Sequence, residues 1–149
     1  MDDRYAIERL KYRYFRTLDL KQWDDFADCL TPDATSDYAG LTFTDRTTLI
    51  DYLRTHLGPG LITTHTAHHP EVEVEGDEAS GTWYLEDRVL APELSFALQG
   101  AAFYTDRYLR TADGWRIRHT GYQRTFEMTW STTDVPSLRI TKGTMYRDG

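Results

Sequence analysis

His69-Pro70-Glu71-Val72-Glu73-Val74-Glu75 sets apolar against acidic side chains, Gly76-Asp77 interrupts the alternation, and residues 79–90 carry the chain back. A period of two marks a strand with one buried face, and a short Gly-containing break marks a turn, so residues 69–90 read as a long β-hairpin. On the returning strand Trp83, Leu85, Asp87 and Val89 share one face, and Tyr84, Glu86 and Arg88 share the other. Downstream, a loop containing Pro92 leads to a strand over 94–110, and Ala112-Asp113-Gly114 turns into a last strand over 115–128. Residues 129–149 lose the pattern and are expected to form a C-terminal tail that packs on a neighbour.

Upstream of the hairpin the period changes. Over residues 5–18, Ile7, Leu10, Tyr14 and Leu18 recur at three and four residues while Arg9, Lys11, Arg13 and Arg16 are read as the polar side of an amphipathic helix. A second short helix is expected over 23–30, burying Trp23, Phe26 and Leu30 and stopped by Thr31-Pro32-Asp33. Strands over 34–38 and 41–43 come next, and Asp45 caps a third helix that runs through Leu49, Ile50, Leu53 and Leu57 to Gly58-Pro59-Gly60. Helices first and strands after, without βαβ alternation, predict one α+β domain over residues 1–149. Its helices would cover one face of a curved, mixed but mostly antiparallel sheet and enclose a pocket.

A chain of 149 residues buries roughly two-thirds of its unfolded surface, enough for a core. Aromatic residues make up 13%, and such rings line ligand cavities as readily as they fill cores. The net charge of −7 and pI near 5.1 leave no basic stripe to displace counterions from phosphate, so neither nucleic acid nor an anionic membrane is an expected partner. A small hydrophobic molecule is. The lone Cys29 excludes an intramolecular disulfide and a thiolate zinc site, and the absence of a leader-like stretch at the N-terminus places the expected protein in the cytoplasm.

The run from Asp19-Leu20-Lys21-Gln22-Trp23-Asp24 through Cys29-Leu30-Thr31-Pro32 to Asp37-Tyr38 resembles scytalone dehydratase without a gap, and Thr64-His65 resembles that family's pocket histidine. Tyr104-Thr105-Asp106-Arg107-Tyr108 with Asp113-Gly114-Trp115 is similar to hexachlorocyclohexane dehydrochlorinase. The match covers about residues 5–120 and points to the scytalone dehydratase-like, SnoaL-like branch of the nuclear transport factor 2 superfamily. The resemblance implies a cone-shaped α+β barrel and a homotrimer, with a dimer second. It implies that Asp19 orients His65 as a proton-abstracting base, with Tyr38 polarising a carbonyl or leaving group. Three departures accompany it. Val89 stands where scytalone dehydratase has a second histidine, with Asp87 one inward step earlier. Tyr104 and Asp106 replace a serine and an asparagine, and the dehydrochlorinase's pocket arginine falls at Thr120, beside His119.

The residue chemistry stands without the family: an imidazole exchanges protons near cellular pH, and a buried carboxylate fixes its tautomer. The plainer reading makes Asp19 a turn cap and His65 a satisfied strand residue. Asp87 is either an inward carboxyl, desolvated beside Trp83 and a candidate acid, or a surface partner of Arg88 or Arg107 beyond a bulge. His119, on the face of Ile117 by alternation, is a second pocket base or a packed strand residue, and Tyr14 either projects its hydroxyl into the cone or packs against the sheet. His65, His68 and His69 do not make a metal site, because His68 lies opposite the other two on a strand and no carboxylate accompanies them.

The expected activity is a cofactor-free, dehydratase-type lyase acting on a cyclic, largely apolar molecule such as a steroid or polyketide. Proton-shuttling isomerase or cyclase is the nearest alternative. A non-catalytic binding protein and a structural subunit of a ring-hydroxylating oxygenase remain as other classes.

Overall fold

A computed structural model of the chain describes residues 1–143. The hairpin is longer than its alternation: β3 (Ile62–Glu75) and β4 (Glu78–Ala91) pair antiparallel from Ile62↔Leu90 to Glu75↔Glu78. β5 (Phe96–Thr111) and β6 (Gly114–Ser131) extend the same sheet, β6 pairs in parallel with β1 (Leu30–Tyr38), and β1 carries the short antiparallel β2 (Leu41–Phe43). The order is β2-β1-β6-β5-β4-β3, a mixed sheet with one parallel joint that does not close on itself.

Three helices, α1 (Asp3–Asp19), α2 (Trp23–Ala27) and α3 (Arg46–His56), pack on it, as the α+β reading requires. Ile7, Leu10, Tyr14, Phe15 and Leu18 of α1 meet Trp83, Leu85, Tyr104, Tyr108 and Ile117 of the sheet in one buried cluster. Each large apolar side chain buried there contributes about 1.5–3 kcal/mol. Asp45 caps α3 as expected, its carboxylate accepting from the Thr48 N–H at 2.7 Å, and Asp2 caps α1, accepting from the Tyr5 N–H at 2.8 Å. The start of α1 is tied to the sheet by Asp3, which accepts from both Arg110 Nη atoms and from Trp115 Nε1.

Several boundaries differ from the sequence reading. α2 ends at Ala27, because Leu30 already pairs with Ile117 of β6 and Arg46 Nη1 donates to the carbonyls of Ala27 and Leu30. Pro32 lies inside β1, within a register irregularity between Leu30 and Thr35, where a missing N–H breaks no ladder bond. β6 continues to Ser131 and pairs with Phe96, so residues 129–131 belong to the sheet. Of the expected tail, residues 144–149 lie outside the described residues.

Two bulges in the β5–β6 pairing decide which side chains face the helices. The first sits where Arg107 pairs with His119 and Tyr108 with Ile117, leaving Arg118 as an extra residue. The second leaves Thr125 extra between Arg124 and Phe126. A third irregularity, between His68 and Glu71 of β3, comes with His69 at a φ of 47°, so His65 and His69 lose their common parity.

Candidate active site

Asp19 closes α1, at the negative end of the helix dipole where a carboxylate needs compensating donors. β3 supplies them. Thr63 Oγ1 donates to Asp19 Oδ1 at 2.9 Å, the His65 backbone N–H donates to Oδ2 at 2.9 Å, and His65 Nδ1 lies 2.6 Å from Oδ1. A carboxylate only accepts, so the proton of this last bond sits on Nδ1 and leaves Nε2 with a free lone pair. The imidazole is stacked on Phe15, with centroids 5.6 Å apart and planes 7° apart, which fixes the ring in addition to the hydrogen bond. The side chains remain partly open, at 12% for His65 and 19% for Asp19.

His65 lines a cavity of about 240 Å³. Tyr14 and Leu18 of α1, Tyr38 of β1, and Tyr52, Leu53 and His56 of α3 form one side. Thr63, Asp87, Val89, Tyr104, Tyr122 and Arg124 of the sheet form the other. The Tyr14 and Tyr38 hydroxyls are 2.5 Å apart, so Tyr14 projects its hydroxyl and does not merely pack. Burial pushes the phenols of Tyr14, Tyr38 and Tyr104 above their ordinary range, so all three stay protonated as hydrogen-bond donors.

Beneath these rings lies a sealed polar layer. Lys11 Nζ is 2.8 Å from Asp106 Oδ2 with no exposure of either side chain, and it sits over the rings of Tyr104 and Tyr14 at 3.9 and 4.3 Å. Asp106 also accepts from Thr120 Oγ1 at 2.7 Å and from the Tyr108 hydroxyl at 2.8 Å, and Tyr108 in turn accepts from Trp83 Nε1. Burial pulls the Lys11 ammonium below its ordinary range, and the Asp106 charge partly offsets this.

Several sequence expectations change here. Lys11, read as polar surface, is fully buried; it stands four residues after Ile7 and three before Tyr14, on the apolar stripe itself. Asp106 and Trp83, expected in the pocket, are wholly buried in the layer below and do not line the cavity. His119 is turned to the outer face by the bulge at Arg118, where Nδ1 lies 2.6 Å from Thr35 Oγ1, and it borders outer grooves instead. Asp87 does point inward, as alternation requires. It is not a lone carboxyl: Arg124 Nη1 and Nη2 donate to its two oxygens at 2.5 and 2.8 Å. Val89, Tyr104, Tyr14 and Tyr38 line the cavity.

Arg124, Thr63 and His56 escaped the sequence reading. Thr63 is two residues before His65, so alternation carried to the start of β3 exposes it, whereas Arg124 faces inward only because the bulge at Arg118 shifts the parity set by Ile117. Gly100 is a further signal: a Cβ there would meet Arg124 Nη1 and the Phe126 carbonyl, each at 2.8 Å, so the glycine makes room for the guanidinium. Among the described residues no three His, Cys, Asp or Glu side chains converge as metal ligands, and no helix is long and apolar enough to cross a membrane.

A family model described as a SnoaL-like domain matches residues 1–121. The chain belongs to the SnoaL-like family. SnoaL-like residues of this chain align with the uncharacterised protein Rv2910c of Mycobacterium tuberculosis at 32% identity over 120 residues, 78% of this chain and 82% of the relative. The SnoaL-like fold is shared with a hexachlorocyclohexane dehydrochlorinase (LinA) Type2 at a TM-score of 0.79 and 20% identity, covering 93% of both chains. It is also shared with a scytalone dehydratase-like protein of Novosphingobium aromaticivorans at a TM-score of 0.77 and 18% identity, covering 83% of this chain and 85% of that one.

Proposed function

We propose that this SnoaL-like protein is a cofactor-free lyase that eliminates water from a cyclic, largely apolar β-hydroxy ketone, with His65 as general base. The observation that supports this is the 2.6 Å contact between His65 Nδ1 and Asp19 Oδ1, which leaves Nε2 basic on a ring that lines the cavity. In this reading Asp19 holds the tautomer and stabilises the imidazolium formed when His65 takes the proton next to the carbonyl. Tyr38, fed a hydrogen bond by Tyr14, donates to the carbonyl oxygen on which enolate charge develops. The names of the structural neighbours, a dehydrochlorinase and a scytalone dehydratase-like protein, are consistent with elimination chemistry on this fold.

The cavity volume narrows the substrate class. A cavity of about 150 Å³ lodges one benzene ring, so about 240 Å³ accommodates the buried part of a two-ring molecule more readily than a four-ring steroid. The test is a panel of hydroxylated bicyclic ketones with wild type and His65→Ala. Loss of water should be about 10²–10⁴-fold slower in the variant, and equal turnover by both proteins would remove His65 from the mechanism. Val89, apolar and on the cavity wall, is the observation that favours an isomerase instead. Product mass separates the two, since isomerisation leaves it unchanged.

A further inference from the structure

The cavity that holds His65 has a second imidazole at its rim, His56, the last residue of α3. It lies on a helix, outside the motifs that carry the family resemblance and outside every strand alternation. Its ring stacks on Tyr52 one turn earlier, with centroids 3.9 Å apart and planes 19° apart, and its Nδ1 is 2.9 Å from the Tyr52 carbonyl oxygen. A carbonyl only accepts, so this Nδ1 carries a proton, and Nε2 is the atom left to exchange protons with whatever fills the cavity.

Elimination of water needs two proton transfers, one from carbon and one to the departing oxygen. His65 serves the first in the reading above, on which this inference rests. For the second, the other ionisable groups of the cavity are poorly suited. Asp87 gives both oxygens to Arg124, whose guanidinium does not release a proton, and Asp19 is held by Thr63 and His65. The phenols of Tyr14, Tyr38, Tyr104 and Tyr122 are pushed up by burial and release protons poorly, and the Tyr52 ring is stacked against His56 itself. The chain has Val89 on the wall, and α3 brings an imidazole to the same space from a different element.

We propose that His56 is the general acid of this site, passing its Nε2 proton to the departing hydroxyl. As His65 takes the proton, the C–H electron pair becomes the new C=C bond, and the C–O pair leaves on oxygen, which His56 protonates to water. His56 ends neutral and His65 ends protonated, and exchange of one proton with solvent resets both. His56 and His65 line the same cavity of about 240 Å³.

The experiment compares β-hydroxytetralone, whose hydroxide leaves only when protonated, with β-acetoxytetralone, whose acetate leaves without a proton. His56→Phe keeps a ring to stack on Tyr52. It should lower turnover of the hydroxy compound by about tenfold or more relative to turnover of the acetoxy compound and to solvent-deuterium exchange next to the carbonyl, each normalised to wild type. His56→Gln, measured in the same way, provides a second variant with a different side-chain shape. An equal loss on both leaving groups, or no loss on the hydroxy compound, would overturn the assignment. Failure of the base reading looks different: His65→Ala would then retain deuterium exchange, whereas the ratio between the two leaving groups reports on His56 alone.

Discussion

Two pairs of a carboxylate with a basic side chain flank the last three turns of α1, and they are built to opposite ends. Asp106 and Lys11 meet at 2.8 Å with both side chains fully sealed, while Asp19 and His65 meet at 2.6 Å with both partly exposed and His65 lining a cavity. In the sealed pair the Asp106 oxygens take three donors, from Lys11, Thr120 and Tyr108, so the carboxylate is saturated from within the protein. In the open pair the hydrogen bond to Asp19 engages one imidazole nitrogen and frees the other. Charge in a low-dielectric interior is costly unless paired, so the sealed pair acts as a floor that holds Tyr104 and Tyr14 in place. Solvent and ligand access, and not the strength of the pairing, separates a structural ion pair from a candidate catalytic one.

The contrast breaks most sharply at Asp19. Asp19→Asn keeps the shape but loses the carboxylate that fixes the His65 tautomer, so turnover of a bicyclic β-hydroxy ketone should fall by about 10²-fold or more, with urea unfolding shifted by only about 1 kcal/mol. Asp106→Ala should do the reverse. Leaving Lys11 buried and unpaired costs about 3–5 kcal/mol in urea unfolding, and the double change Lys11→Met with Asp106→Leu should recover most of that loss. A large stability loss at Asp19 with none at Asp106 would invert the comparison.

Gly100→Ala probes the remaining cavity pair, Asp87 and Arg124, by placing a methyl 2.8 Å from Arg124 Nη1 and from a backbone carbonyl. Overpacking of this kind should cost about 1–3 kcal/mol in thermal or urea unfolding. The smallest effect belongs to the exposed tie at the start of α1. Arg110 and then Trp115 hold the Asp3 carboxyl down to about 2, below its ordinary 3.8. A depressed folded value means that the tie contributes fully above about pH 4 and is lost as pH falls toward 2. Asp3→Asn should therefore flatten the dependence of Tm on pH in that acid window and leave it unchanged at neutral pH.

Much of this was legible before any coordinates. The β3–β4 hairpin, the cap at Asp45, the inward face carrying Trp83, Leu85, Asp87 and Val89, and the approach of Asp19 to His65 follow from period, turn chemistry and family resemblance. The misses share causes. His119 departs from the alternation set by Ile117 because a single extra residue in β6 reverses the side chains that follow, up to the second bulge at Thr125, and no composition rule marks Arg118 as the bulge. Lys11 was assigned to the surface because its charge outweighed its position, although helical spacing put it on the buried stripe. For Asp87 the sequence leaves an inward acid or a surface partner of Arg88 or Arg107, and neither names Arg124, which lies 37 residues away on another strand.

By itself the sequence determined the element order, the α+β layering and the residue types that line a pocket, because hydrophobic period and turn residues act locally. Only the tertiary structure decided which carboxylate is open and which is sealed, which strand residue the bulges turn inward, and that α3 ends with His56 at the same cavity as His65. Those outcomes depend on long-range registry and burial, and no local pattern encodes the distance between side chains that meet across elements.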